Sequence, residues 1–220
     1  MLLRAAALAA RFTLVGCVVG LAVSGCRTRH PPLSHGTGDA SRLVRLVGFG
    51  TLDPQVLESL RGPIAAEFGG TVEVESQAVP IPGGSYDARR AQYRAEPFLT
   101  AVGEQFASAG GKTVGVTDVD LFVPELNFVF GQAELAGTTA VMSIHRLRPE
   151  FYGAAADQQQ FTARAVTEAV HELGHTFGLQ HCKNPGCVMF FSNSILDTDR
   201  KGWHLCQQCR SRLPRAGETG

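Results

Sequence analysis

Apolar residues recur at helical spacing in three stretches of the chain and at strand spacing in several others. Leu43-Val44-Arg45-Leu46-Val47 is apolar and β-branched and predicts a first strand. Asp53-Pro54 stands in N-cap and first-turn order ahead of Val56, Leu57, Leu60, Ile64 and Phe68, which share one helical face, and Gly69-Gly70 ends the run. Thr71 to Glu75 alternates like a strand, and VPIPGGSYD reads as loop. A second helix is predicted over Arg94 to Ala109, with Phe98, Leu99, Val102 and Phe106 inward. Lys112 to Thr117, Asn127 to Phe130 and Thr138 to Ile144 read as further strands. A long helix then packs through Phe161, Val166, Val170, Leu173 and Phe177. This order, β-α-β-α-β and then extra strands and a long helix, predicts an α+β domain built on a twisted sheet with helices against it.

The N-terminal stretch has a different texture. Arg4 and Arg11 precede the uncharged run Phe12 to Gly25, whose 14 residues match a signal-peptide core and fall short of the roughly 20 that span a bilayer. The run ends in Val23-Ser24-Gly25-Cys26, which resembles the bacterial lipobox, where the cysteine is lipidated and becomes the new N-terminus. Leu14-Val15-Gly16-Cys17 fits the same pattern but would leave almost no apolar stretch after Arg11, so Cys26 is preferred. A plain secretory signal or an uncleaved anchor is the alternative. Residues 26–42 hold Pro31-Pro32, Gly36 and Gly38 and little apolar content, as a flexible tether does. The expected organisation is a signal peptide at 1–25, a tether at 26–42, one domain at 43–213 and a tail at 214–220. The expected location is extracytoplasmic, lipid-anchored to a bacterial membrane.

Composition narrows the function classes. The 220 residues can bury a sizeable core, and 44% hydrophobic residues is an ordinary globular content. Basic and acidic residues balance at 20 each, with no basic run or stripe, so nucleic acid is not an expected partner. Loss of residues 1–25 removes only Arg4 and Arg11 and leaves a net charge of about −2. The domain is expected to be a monomer.

The chemistry concentrates in HELGHTFGLQHCKNPGCVM, His171 to Met189. His171 and His175 lie four apart, on one face of the predicted helix. Two imidazoles so placed can share a metal ion, with Glu172 beside them to activate a bound water. Gly178 falls where the helix should end and the chain turn back, bringing His181 to the same ion. Three neutral nitrogen ligands leave a fourth position open, as in a catalytic zinc site, where zinc polarises a carbonyl and lowers its water's pKa toward about 7. The rival reading is an amphipathic core helix with incidental histidines. The extended H-E-x-x-H-x-x-G-x-x-H, however, is the metzincin signature. Nitrogen and sulfur ligands argue against calcium or magnesium.

Cys182 directly follows the third histidine, Cys187 comes five residues later, and Cys206-Gln207-Gln208-Cys209 follows. Two cysteine pairs at this spacing suggest a closed four-thiolate zinc site, structural because no position is left for water. That site would clamp the loop that delivers His181. Two disulfides are the alternative, and the lipobox gives them weight by implying an oxidising compartment.

The run HELGHTFGLQHCKNPGCVM followed by CQQC resembles the archaemetzincin family: the metzincin helix, an immediate cysteine, C-x4-C-x-M, and a distal C-x2-C. The segments RRAQYRA (89–95), DVDLFVPELNFVFGQAELAG (118–137) and SIHRLRPEFYG (143–153) are similar too, so the resemblance spans roughly Leu43 to Leu213. It implies a metzincin-like fold with a mixed sheet above the active-site helix and a C-terminal four-cysteine subsite. It implies two zinc ions per chain: a catalytic one on His171, His175 and His181, and a structural one on Cys182, Cys187, Cys206 and Cys209. It implies Glu172 as general base, Met189 as the Met-turn residue beneath the histidines, and a peptide or protein substrate, with an aminopeptidase preference sometimes attached to the family. The lipoprotein-like start departs from the usual member. A zinc-stabilised, membrane-tethered scaffold with little turnover is the competing function, and hydrolysis of another acyl substrate a weaker one; an intact Glu172 favours the peptidase. Two positions stay open: Asn127 to Phe130 as an edge strand for substrate or a core strand, and Glu168 as a support for a ligand or a solvated helix position.

Overall fold

The computed structural model describes residues 42–106 and 111–214. Its main sheet has five strands in the order β2-β1-β5-β8-β7. These are β1 (Leu43–Gly48), β2 (Thr71–Val74), β5 (Lys112–Thr117), β8 (Thr139–Ser143) and β7 (Gly131–Ala133). The first four run parallel, and β7 closes the row antiparallel to β8. A small second sheet pairs β3 (Tyr86–Asp87), β4 (Gln92–Arg94) and β6 (Leu121–Phe122) in the order β3-β4-β6.

Helices cover both faces of the main sheet. Helix α1 (Pro54–Phe68) starts where Asp53 accepts the Gln55 N–H and buries the five apolar residues expected of it. It packs with α3 (Gln158–Thr176) against Val44, Leu46, Val114, Val116 and Met142. Helix α2 (Glu96–Phe106) buries Phe98, Leu99 and Val102 against Val47, Phe49 and Val141 on the opposite face. Alternate strand residues thus feed two cores, as the period of two requires. Two short helices, α4 (Ile195–Lys201) and α5 (Gln207–Arg210), follow near the end of the described residues.

The mixed sheet and the histidine-bearing helix beneath it agree with the expectation from sequence. Three boundaries differ. Arg94 is paired in β4, so the second helix begins at Glu96 rather than Arg94; residues 107–110 lie outside the described part. The strand expected at Asn127 to Phe130 lies four residues later, at Gly131–Ala133. Val129 makes one isolated bridge to Leu121 instead, while Phe128 turns its ring onto the Arg146 guanidinium, 4.3 Å away. The loop VPIPGGSYD ends in β3. The expected signal peptide, Cys26 and most of the tether fall outside the described residues. Among those described, no helix is long and apolar enough to cross a membrane.

Candidate metal centres and active site

Helix α3 presents two of the three histidines. Asp157 caps its start by accepting the Gln160 N–H. Its end is a Schellman turn: Gly178, at φ +83, donates to the His175 carbonyl, and Leu179 donates to that of Gly174. The chain reverses there and carries His181 back to the helix. The three imidazoles meet, with ligand nitrogens within 4.8 Å of one another. Nε2 of His171 and Nε2 of His175 are 3.2 Å apart, close to the roughly 3.3 Å edge that Zn–N bonds of about 2.0–2.1 Å give a tetrahedron.

The backbone sets the tautomers. His171 Nδ1 donates to the Val188 carbonyl and His175 Nδ1 to the Leu179 carbonyl, each at 2.7 Å. A carbonyl cannot donate, so both Nδ1 atoms carry the proton and both Nε2 lone pairs are free for a metal. Burial lowers the pKa of all three histidines, which keeps them neutral ligands at neutral pH. His181 is the most exposed of the three, its burial only partial, and rests its ring against Phe191, centroids 4.8 Å apart.

Glu172 lies buried in the same cleft but outside the nitrogen group. Burial, helped by the neighbouring Glu168 carboxylate and opposed by the Lys201 ammonium, pushes its pKa up to about 8. A cation held by the imidazoles would pull that value back down. Directly above, β7 runs close: a Cβ on Gly131 would come within 2.6 Å of the Glu172 carboxyl carbon. Phe130 and Glu134 make the hydrogen bonds to Ser143 and Thr139 of the β8 side. By antiparallel alternation, Gly131 and Ala133 therefore turn their N–H and C=O groups outward, along the open edge of the sheet. The cleft between this edge and α3 encloses about 810 Å³.

Met189 is fully buried beneath the helix. Its sulfur occupies the space that a Cβ on Gly174 would need. Its carbonyl accepts the Cys182 N–H at 2.8 Å, tying the histidine loop to the turn below.

The four cysteines also converge, with sulfurs within 4.8 Å of one another and none in a disulfide. Cys182 and Cys206 sulfurs stand 3.9 Å apart. A disulfide would need about 2.05 Å, whereas four Zn–S bonds of about 2.3 Å give an edge near 3.8 Å. Backbone N–H groups of Asn184 and Cys206 donate to the sulfurs of Cys182 and Cys187, as suits thiolate acceptors. The Cys209 N–H and neighbouring sulfurs lower the Cys206 pKa to about 7, and burial raises those of Cys187 and Cys209.

The structure thus brings together every histidine and cysteine picked out by spacing, and sets Glu172 and Met189 beside them. Other contributors carried no spacing signal: the Val188 and Leu179 carbonyls, the buried Lys201, and Glu67 on α1. Glu67 is buried and accepts from Leu205 N at 2.8 Å, from the Arg210 guanidinium and from His204, so it anchors the cysteine-bearing tail. Gly131 left no trace either, since it falls one residue beyond the strand expected at Asn127 to Phe130. The segments 89–95, 118–137 and 143–153 also meet. Gln92 and Arg146 both hold Asp120, and Arg90 holds the Leu126 and Asn127 carbonyls, so together they brace the loop that leads into β7.

A neutral imidazole triad on a helix and its return loop, with a buried glutamate beside it under an open sheet edge, defines a zinc metallopeptidase. The sequence profile of peptidase family M54 matches residues 83–215. The archaemetzincin of Pyrococcus furiosus is 44% identical over 177 residues, 78% of this chain and 92% of that one. The crystal structure of archaemetzincin from Methanopyrus kandleri superposes with a TM-score of 0.70 at 34% identity, covering 81% of this chain and 95% of that one. A zinc-dependent peptidase from Methanocorpusculum labreanum has a TM-score of 0.70 at 30% identity, covering 78% of this chain and all of that one. The chain belongs to peptidase family M54.

Proposed function

We propose that this peptidase cleaves extended peptides at the histidine site, with Glu172 as its general base. The observation that carries the reading is the position of Glu172, buried between the imidazole triad and the free edge of β7. His171, His175 and His181 would hold a zinc ion, and the four cysteines a second one. At the histidines zinc supplies a Lewis acid that polarises the scissile carbonyl and acidifies water.

The remaining steps belong to the chain's own groups. The outward N–H and C=O groups of Gly131 and Ala133 pair with the substrate backbone as an added strand. This lays the peptide across the cleft over Glu172. Glu172 takes the proton of the attacking water and delivers it to the leaving amine. The Val188 and Leu179 carbonyls hold the imidazoles in the tautomer that presents Nε2 throughout. The second zinc would tether the turn after His181 and the tail to each other. In this reading the enzyme works outside the cytoplasm, with residues 26–42 linking the domain to a lipid on Cys26.

Glu172→Gln tests it. The variant keeps all seven nitrogen and sulfur ligands, so elemental analysis should find two zinc ions per chain in both proteins. Turnover of a peptide mixture should fall by ~10²–10⁴-fold. Undiminished turnover, or zinc lost with the substitution, contradicts the assignment. Pairing each peptide with its N-acetylated form reads whether a free amino terminus is required, which would make the enzyme an aminopeptidase.

A further inference from the structure

Lys201, in the last turn of α4, has a side chain with no solvent exposure, and the chemistry above does not use it. A buried ammonium is costly unless paired. Its Nζ lies 3.3 Å from Glu168 Oε1, 3.3 Å from the Phe190 carbonyl oxygen and 3.4 Å from His171 Nδ1. The imidazole is not its acceptor, because His171 Nδ1 spends its proton on Val188. Lys201 therefore donates to Phe190, pairs as an ion with Glu168, and rests against the edge of the His171 ring. Glu168 Oε1 also accepts a hydrogen bond from Thr198 Oγ1 at 2.8 Å. The glutamate is thus no solvated helix position: it is 2% exposed and doubly held.

The spacing explains why such restraint matters. Glu168 stands three residues before His171, and a glutamate and a histidine at E-x-x-H spacing on one helix both serve as metal ligands in the dinuclear carboxylate sites of helix bundles. Glu168 lines the same cleft as the three histidines, yet its oxygens lie outside the group of nitrogens that would surround the ion. A dication in the triad attracts this carboxylate. If it ligated, it would fill the position that substrate needs. The element that holds it back is itself rigidly placed. Ser194 and Asp197 form a capping box at the start of α4, and Arg164 of α3 grips Asp199 of α4 through two hydrogen bonds of 2.7 and 2.8 Å.

We propose that Lys201 is a positioning residue that restrains Glu168, keeping a fourth protein ligand off the metal held by His171, His175 and His181. The inference rests on the histidine triad being the metal site, as proposed above. It fixes the sign of an effect that a merely structural lysine would not produce. Loss of the ammonium should free Glu168 to ligate, so metal binding tightens while catalysis slows.

The test uses Lys201→Met, Glu168→Gln and the double variant in the full chain. Zinc affinity is read by chelator competition, coordination by the absorption of the cobalt-substituted protein, and turnover by kcat and KM. The nitrogen site's cobalt bands are separable from the thiolate charge-transfer bands of the sulfur site. Lys201→Met is expected to bind zinc at the histidines at least about tenfold more tightly, with a cobalt spectrum of higher coordination number. Its kcat should fall at least about tenfold, with KM changed by less than about threefold. Adding Glu168→Gln should return affinity, spectrum and kcat to within about threefold of Glu168→Gln alone. Weaker zinc binding in Lys201→Met, an unchanged cobalt spectrum, or no recovery in the double variant overturns the proposal. If Lys201→Met does not fold, the double variant against Glu168→Gln decides: equal affinity and spectrum support the proposal, and a difference contradicts it. A wild-type protein that binds zinc at the histidines but cleaves no peptide would refute the peptidase reading, while affinity and spectrum would still judge the role of Lys201.

Discussion

Two glycines set how closely the walls of the site approach each other. A methyl group at Gly131 has no room above Glu172, and one at Gly174 has none above the Met189 sulfur. Gly131→Ala should therefore displace either β7 or the glutamate. Overpacking of this kind costs about 1–3 kcal/mol. Turnover should drop at least tenfold, about 1.4 kcal/mol of barrier, while zinc content holds. Retained activity with a shifted thermal midpoint would show that the edge strand is not part of the reaction. At this scale the convergence of the histidines and of the cysteines was legible because a metal demands particular residue types at particular spacings, and His171, His175, His181 and the four cysteines meet that demand within 39 residues. Lys201 was not legible. It reaches Glu168 across 33 residues, and no spacing rule ties a lysine on one helix to a glutamate on another.

Among the elements, the long helices were readable from their apolar faces, and α1 buries the very residues its periodicity singled out. The small sheet of β3, β4 and β6 was not, because strands of two or three residues show no period. The strand at Asn127 to Phe130 was misplaced for a related reason. Its aromatic residues follow a strand pattern, but Phe128 meets Phe130 edge to face at 5.1 Å and covers Arg146, so its apolar character braces the loop, while Phe130 is buried in the core just ahead of β7. The C-terminal segment shows what holds an element with little core of its own. Glu67 gathers Leu205 N–H, His204 and Arg210, and Val188 N–H donates to the His204 carbonyl. Glu67→Ala leaves the buried Leu205 N–H without its acceptor, at a cost of about 1–3 kcal/mol. In a domain of this size that lowers the thermal midpoint by roughly 2–12 °C. A midpoint unchanged by the substitution would mean that the cysteines alone hold the tail.

At the scale of the whole domain, the histidine and cysteine clusters, each proposed to hold a zinc ion, are joined by one peptide bond, that between His181 and Cys182. A thiolate site whose binding energy is also folding energy should not fail alone. Cys206→Ser is expected to lower the thermal midpoint and turnover together, in contrast to Glu172→Gln, which should lower turnover only. If Cys206→Ser matches the wild type in both, the cysteines do not support the active site. The proposed N-terminal lipid tether is a separate matter: if Cys26 carries the lipid, Cys26→Ala should abolish acyl labelling and leave the precursor unprocessed, and labelling lost instead with Cys17→Ala would assign the lipid to the other cysteine.

The claim on which the rest depends is that this chain hydrolyses peptide bonds with water activated by Glu172. The direct measurement is a peptide-library digest in heavy-oxygen water, read by mass spectrometry for wild type and Glu172→Gln side by side. The account predicts new carboxyl termini carrying one heavy oxygen in the wild-type digest, at a rate ~10²–10⁴-fold lower in the variant. No new termini in the wild-type digest, or the same labelled termini at the same rate in both, would contradict it.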